Sequence, residues 1–111
     1  MKYMERSSRM SREKTKQEMQ EEFVSYIHDL IGYWKTEKRT PDLEGKLEGL
    51  AFSILTAIDG EAMALPGYKL SPLMADGDKE YFISRDEDYY PEDTDIAGNL
   101  HEIFLQVKDD E

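Results

Sequence analysis

Three stretches of this chain repeat apolar side chains every three or four residues, and that period commits most of it to amphipathic helices. In the first, over residues 11–35, Met19, Phe23, Ile27, Leu30, Ile31 and Trp34 draw one stripe, widened by Val24, Tyr26 and Tyr33. The second is the cleanest. Thr40-Pro41 offers an N-cap followed by a proline at the first helical position, where its missing N–H has no intrahelical role. Leu43, Leu47, Leu50, Ala51, Ile54, Leu55 and Ile58 follow as the stripe, with Phe52 on a second side. Asp59-Gly60 ends the helix, Gly60 suiting the left-handed C′ position. The last helix starts near Asp93 or Thr94 and runs to Val107 through Ile96, Leu100, Ile103 and Phe104. A linker of only residues 36–39 joins the first two, so they are expected to form an antiparallel hairpin with the last helix packed across it.

Residues 61–92 break the helical period. Pro66-Gly67 and Asp76-Gly77 are turn signals. Residues 80–84 (EYFIS) are aromatic and β-branched, which favours a strand, and residues 68–71 offer it a partner. The fold class expected is therefore α+β, mainly helical: three helices with a small β-ribbon or irregular insertion between helices two and three. Residues 1–10 read as a flexible basic arm, and residues 11–111 as a single acidic helical domain.

Charge is divided unevenly along the 111 residues. Residues 1–17 carry six basic and two acidic side chains; the rest carry eight and 23, for an overall net charge of −11. Such a body repels phosphate backbones and anionic lipid, so direct nucleic-acid binding by it and membrane association are not expected. There is no cysteine, which fits a reducing compartment and removes thiolate chemistry. The longest mostly apolar run, residues 50–58, is too short to span a bilayer. No secretory signal is evident, and the expected location is cytoplasmic.

Between Asp76 and Asp95 stand nine acidic residues and two basic ones. The run Asp86-Glu87-Asp88-Tyr89-Tyr90 interleaves carboxylates with rings. Such a surface supplies charge for steering and rigid area for contact, and it imitates a phosphate backbone; the plainer reading is an acidic loop whose tyrosines cover the edge of the core. Asp76, Asp78 and Glu80 lack calcium-loop spacing and read as a solvated turn. Glu18, Glu21 and Glu22, with Glu44 and Glu48, have the one-turn spacing of magnesium-binding carboxylates in all-helical nucleotide hydrolases. They read more simply as exposed helix faces with i,i+4 partners. His28 and His101 approach one another only if the first and last helices touch. Gly45 and Gly49 suit close approach of a neighbouring helix rather than a phosphate. No cofactor, metal or catalytic residue is assigned.

Residues 46–69 (KLEGLAFSILTAIDGEAMALPGYK) and 95–104 (DIAGNLHEIF) resemble small bacterial and prophage-type proteins of unknown function. The resemblance covers about a third of the chain, carries no catalytic motif and implies no activity. It implies only that helix two, the ALPG turn and the last helix belong together. The expected function is that of a noncatalytic protein-binding or regulatory module, of the kind a phage or plasmid inhibitor would be. Its binding residues are expected to be Tyr81, Asp86, Glu87, Asp88, Tyr89 and Tyr90, its partner a protein, and its state a homodimer through helix one or the Gly45/Gly49 face. The alternative is the divalent-metal nucleotide hydrolase.

Overall fold

The computed structural model describes residues 11–110, with side chains as far as residue 107. The basic arm expected over residues 1–10 lies outside the described residues. Among the described residues four helices follow in order: α1 (Lys16–Thr36), α2 (Leu43–Ile58), α3 (Asp78–Ser84) and α4 (Leu100–Asp110). Among the described residues there is no strand. The expected α+β class with three helices and a β-ribbon is thus replaced by an all-helical architecture. No helix among the described residues is long and apolar enough to cross a membrane.

α1 begins at Lys16 rather than near residue 11, because Thr15 and Glu18 form a capping box. The Glu18 amide donates to Thr15 Oγ1 at 3.1 Å, and the Thr15 amide donates to Glu18 Oε1 at 2.8 Å. That pair satisfies two amides the first turn leaves without helical acceptors. α2 is capped by Asp42, whose Oδ2 accepts the Gly45 amide at 2.9 Å, so its start falls two residues beyond Thr40. Its end is a Schellman motif. Gly60 stands at φ 87°, its amide donates to Ala57 O, and the Glu61 amide donates to Thr56 O.

α1 and α2 form the expected antiparallel hairpin. At one end Lys46 Nζ donates to the carbonyls of Trp34 (2.9 Å) and Glu37 (2.6 Å), closing the C-terminus of α1 with a cation where the helix dipole favours one. Beside it the Trp34 ring lies flat against Gly49, and its Nε1–H donates to Ser53 Oγ at 3.0 Å. At the other end Phe23 meets Tyr68 edge to face at 5.0 Å, and Tyr68 is tied back to α2 through its amide to Ile58 O. Gly67 makes this return possible. A Cβ there would stand 2.7 Å from the Gly60 Cα, so the ALPG turn closes on the end of α2 only because Gly67 lacks one.

α4 packs on α2 and does not reach α1, so it does not lie across the hairpin. Phe52 of α2 contacts His101 and Phe104 of α4, with ring centroids 5.7 and 6.4 Å apart. α3 packs on no other helix.

The ribbon fails for two local reasons. Residues 80–84 lie inside α3, where the chain turns at Gly77 (φ 86°), the Tyr81 amide donates to Gly77 O, and Asp78 and Glu80 occupy the first turn. A second Schellman motif ends the helix: the Asp86 amide donates to Ile83 O and the Glu87 amide to Phe82 O, with Asp86 itself at φ 59°. Meanwhile Leu70, on the other intended strand, is engaged elsewhere. Its carbonyl accepts the Ile96 amide at 2.7 Å, and its amide donates to Asp95 Oδ1 at 2.8 Å. Aromatic and β-branched residues favour strands only where a partner strand exists to pack on. The last helix also starts late, at Leu100. Asp93 and Gly98 hold positive φ, and the Asp95 carboxylate is engaged by the amides of Leu70 and Ala97.

Candidate functional site

The six residues expected to bind a partner lie on α3 and the segment after it, and all are exposed. Tyr81 is 55% exposed, Tyr89 44% and Tyr90 60%. They do not cover the edge of a core. The two cations of the acidic stretch, Lys79 and Arg85, are both drawn to the rings. Lys79 Nζ stands 5.2 Å from the centre of the Tyr89 ring, and the Arg85 guanidinium 5.6 Å from that of Tyr81. Arg85 also pairs with Glu87 at 3.5 Å. Each cation–π contact at an exposed site contributes about 0.5–1 kcal/mol. That is enough to bias a ring's position and too little to bury it. The result is a surface with two tyrosines steadied from within the chain and carboxylates of Asp86, Glu87 and Asp88 beside them.

Tyr90 faces differently. With Pro91, Glu92 and Asp93 it forms one wall of an open cleft of about 660 Å³, and residues 71–77, Lys79 and Glu80 form the rest. Leu73, at 96% exposed, stands at its margin almost wholly in solvent. The structure therefore brings Tyr81 and Glu87 together through Arg85, holds Tyr89 with Lys79, and sets Tyr90 at the cleft. Asp76, Asp78 and Glu80, weighed as oxygen ligands, are the turn and first residues of α3. Among the described residues no three acidic or histidine side chains converge as a metal site.

The helix carboxylates are not gathered either. Glu18 is held by the capping box and by Arg12 at 2.8 Å. Glu22 pairs with Lys14 at 2.8 Å, and Glu21 accepts from Gln17 at 3.0 Å. Glu44 and Glu48 flank Lys46, which lies at the Trp34 end of the hairpin. Glu18 to Glu22 lie three to four turns down α1 from Trp34, about 20 Å along its axis. An antiparallel hairpin thus places the two carboxylate sets at opposite ends.

Sequence reasoning missed the best-built polar constellation, Asp59 with His101. The Asp59 side chain has no exposed surface, and that of His101 is 17% exposed. Asp59 Oδ1 accepts the Gly98 amide at 2.6 Å; Oδ2 accepts the His101 amide at 2.8 Å and meets His101 Nδ1 at 2.5 Å. An ionised carboxylate only accepts, so Nδ1 carries the proton in that bond. Burial pushes the Asp59 carboxyl upward. The imidazole and the amides of His101, Gly98 and Leu100 outweigh it and hold the group at about 2. A residue ending α2 therefore serves as the distant N-terminal cap of α4, 42 positions later. No hydroxyl among the described residues hydrogen-bonds His101, and the contacts the pair does make dock α4 on the end of α2. His28 lies on α1, which α4 does not touch. The sequence signal was present as Asp-Gly at a helix stop and a histidine near a helix start, but nothing local links the two.

Comparison of the chain with protein-family models, with curated proteins and with solved structures finds no match.

Proposed function

We propose that this protein is a noncatalytic protein-binding module, acting as a homodimer and engaging a second protein through Tyr81, Tyr89 and Tyr90 with Asp86, Glu87 and Asp88. A regulatory role of the phage- or plasmid-inhibitor type is consistent with this reading. The observation that carries it is the exposure of three tyrosines in a segment where both available cations already sit on tyrosine rings. Tyrosines are preferred binding anchors because they offer a large, stiff contact area at little entropic cost. The neighbouring carboxylates supply long-range attraction to a basic surface, which raises association rates more than affinity. A protein of net charge −11 favours such a partner over any polyanion.

The test is affinity capture from host lysate at low and high salt, with Tyr89→Ala/Tyr90→Ala as the control. Both side chains are exposed and neither residue lies in a helix, so the double variant keeps its helical circular dichroism. The proposal expects a stoichiometric protein that salt releases and the double variant fails to capture. Equal capture by the folded double variant refutes it.

A further inference from the structure

We infer that the hairpin face bearing Val24, Ile31, Leu43 and Leu47 closes against the same face of a second copy of this chain. The inference rests on the homodimer just proposed and adds the surface that forms it. Those four side chains are 52%, 43%, 70% and 57% exposed. Helical geometry puts them on one side. On α1, Val24 and Ile31 lie about a quarter-turn beyond Ile27, Leu30 and Trp34, on the side towards α2; on α2, Leu43 and Leu47 lie about a third of a turn beyond Gly49 and Ser53, which meet Trp34 of α1. The helices run antiparallel, so a step in the same sense in each leads to the same side of the hairpin. Phe52, which meets α4, lies about a quarter-turn in the other sense, so α4 sits on the opposite side and cannot cover this face.

The surface area indicates what does. The chain exposes 9344 Å², where a folded monomer of 13.0 kDa exposes about 6,300 Å². Allowing the eleven undescribed residues the full surface of an extended chain removes at most about 1,900 Å². The remaining 100 residues still exceed the folded expectation by about 1,500 Å². The excess belongs to the whole chain, and homodimer interfaces bury about 2,000–5,000 Å² in total, so two copies carry enough uncovered surface between them for one. Among the described residues only Ala57 and Leu65 are buried apolar side chains. A core that small must be completed whenever the chain is folded, and a second copy is the one cover always present at equal concentration. A two-fold axis makes a single apolar patch its own complement.

Salt separates this occupant from a basic one. Two copies of net charge −11 repel, so added salt tightens the dimer, whereas a basic partner on the same face would be released. The experiment is sedimentation velocity of the purified full chain at about 0.05 M and about 0.5 M salt. It is paired with single cysteines introduced into this cysteine-free chain as Leu43→Cys, Leu47→Cys and Leu73→Cys, and a short bismaleimide. Expected are twice the 13.0 kDa mass, a dimer fraction that rises with salt, and cross-linking of Leu43→Cys or Leu47→Cys but not Leu73→Cys. A cooperatively folded monomer at both salt concentrations overturns the homodimer and this face together. A dimer that cross-links only through Leu73→Cys overturns the face and leaves the homodimer. The Tyr89→Ala/Tyr90→Ala variant stays dimeric, so loss of partner capture is read independently.

Discussion

Replacing Asp59 by alanine should release α4 while leaving the hairpin closed. The carboxylate accepts three hydrogen bonds from the start of α4: the Gly98 amide, the His101 amide and His101 Nδ1. Hydrogen bonds to a charged group contribute about 1.5–3 kcal/mol each, but amides at a helix start recover part of this from water, and losing a cap alone costs about 0.5–2 kcal/mol. A net loss of about 3 kcal/mol follows, or roughly a 100-fold rise in the population with α4 undocked. Native-state amide exchange resolves this helix by helix. Protection over residues 101–107 should fall by about that factor, and protection in α1 should fall far less, because α4 contacts α2 alone. Asp59→Asn, which keeps one oxygen acceptor, should fall between. The carboxylate also sets an acid limit. Held at about 2 in the fold and near 3.9 when unfolded, it stabilises fully above about pH 5 and is lost as pH falls through 2. The gap in urea midpoint between the unsubstituted chain and the Asp59→Ala variant should therefore narrow from pH 5 towards pH 2. A drop in protection below tenfold, or one spread evenly over α1 and α4, would refute the capping argument.

Two further substitutions test the packing. A Cβ at Gly49 would stand 2.5–2.7 Å from the Trp34 ring, so Gly49→Ala must push α1 away or turn the indole off Ser53, at a cost of about 1–3 kcal/mol. Gly32→Ala meets nothing within 4 Å and should gain up to about 1 kcal/mol; urea melts followed by Trp34 fluorescence compare the two, and equal shifts would contradict the packing. Asp86 holds the left-handed position that ends α3, so Asp86→Gly should stabilise that turn by up to about 1 kcal/mol. Slower amide exchange at Arg85 and Glu87 is the readout; faster exchange would mean the Asp86 side chain contributes more than its backbone strain costs.

What is legible in the chain is whatever neighbouring residues decide among themselves. The stripes of α1 and α2, the short linker and the Asp59-Gly60 stop all act within a few residues, and the hairpin follows from them. Gly49 does mark a close approach, to the Trp34 ring of the same chain, while Gly45 lies against the side chains of Thr40 and Asp42. The strand over residues 80–84 misleads because its side chains favour a sheet in general, while Gly77 and the Asp86 turn settle the matter locally for a helix. The start of α4 is misplaced because Asp95 looks like a first-turn anion when seen alone; only the amide of Leu70, 25 positions earlier, shows where its carboxylate goes. Asp59 and His101 each stand out for a different reason and never as a pair, since 42 residues separate them. The six surface residues are the converse case. Their composition marks them without any fold, and the fold contributes what composition could not: Lys79 and Arg85 set over the rings of Tyr89 and Tyr81. With nine carboxylates to two cations between Asp76 and Asp95, the segment stays net acidic whatever those two contacts do, which is what the proposed basic partner surface requires.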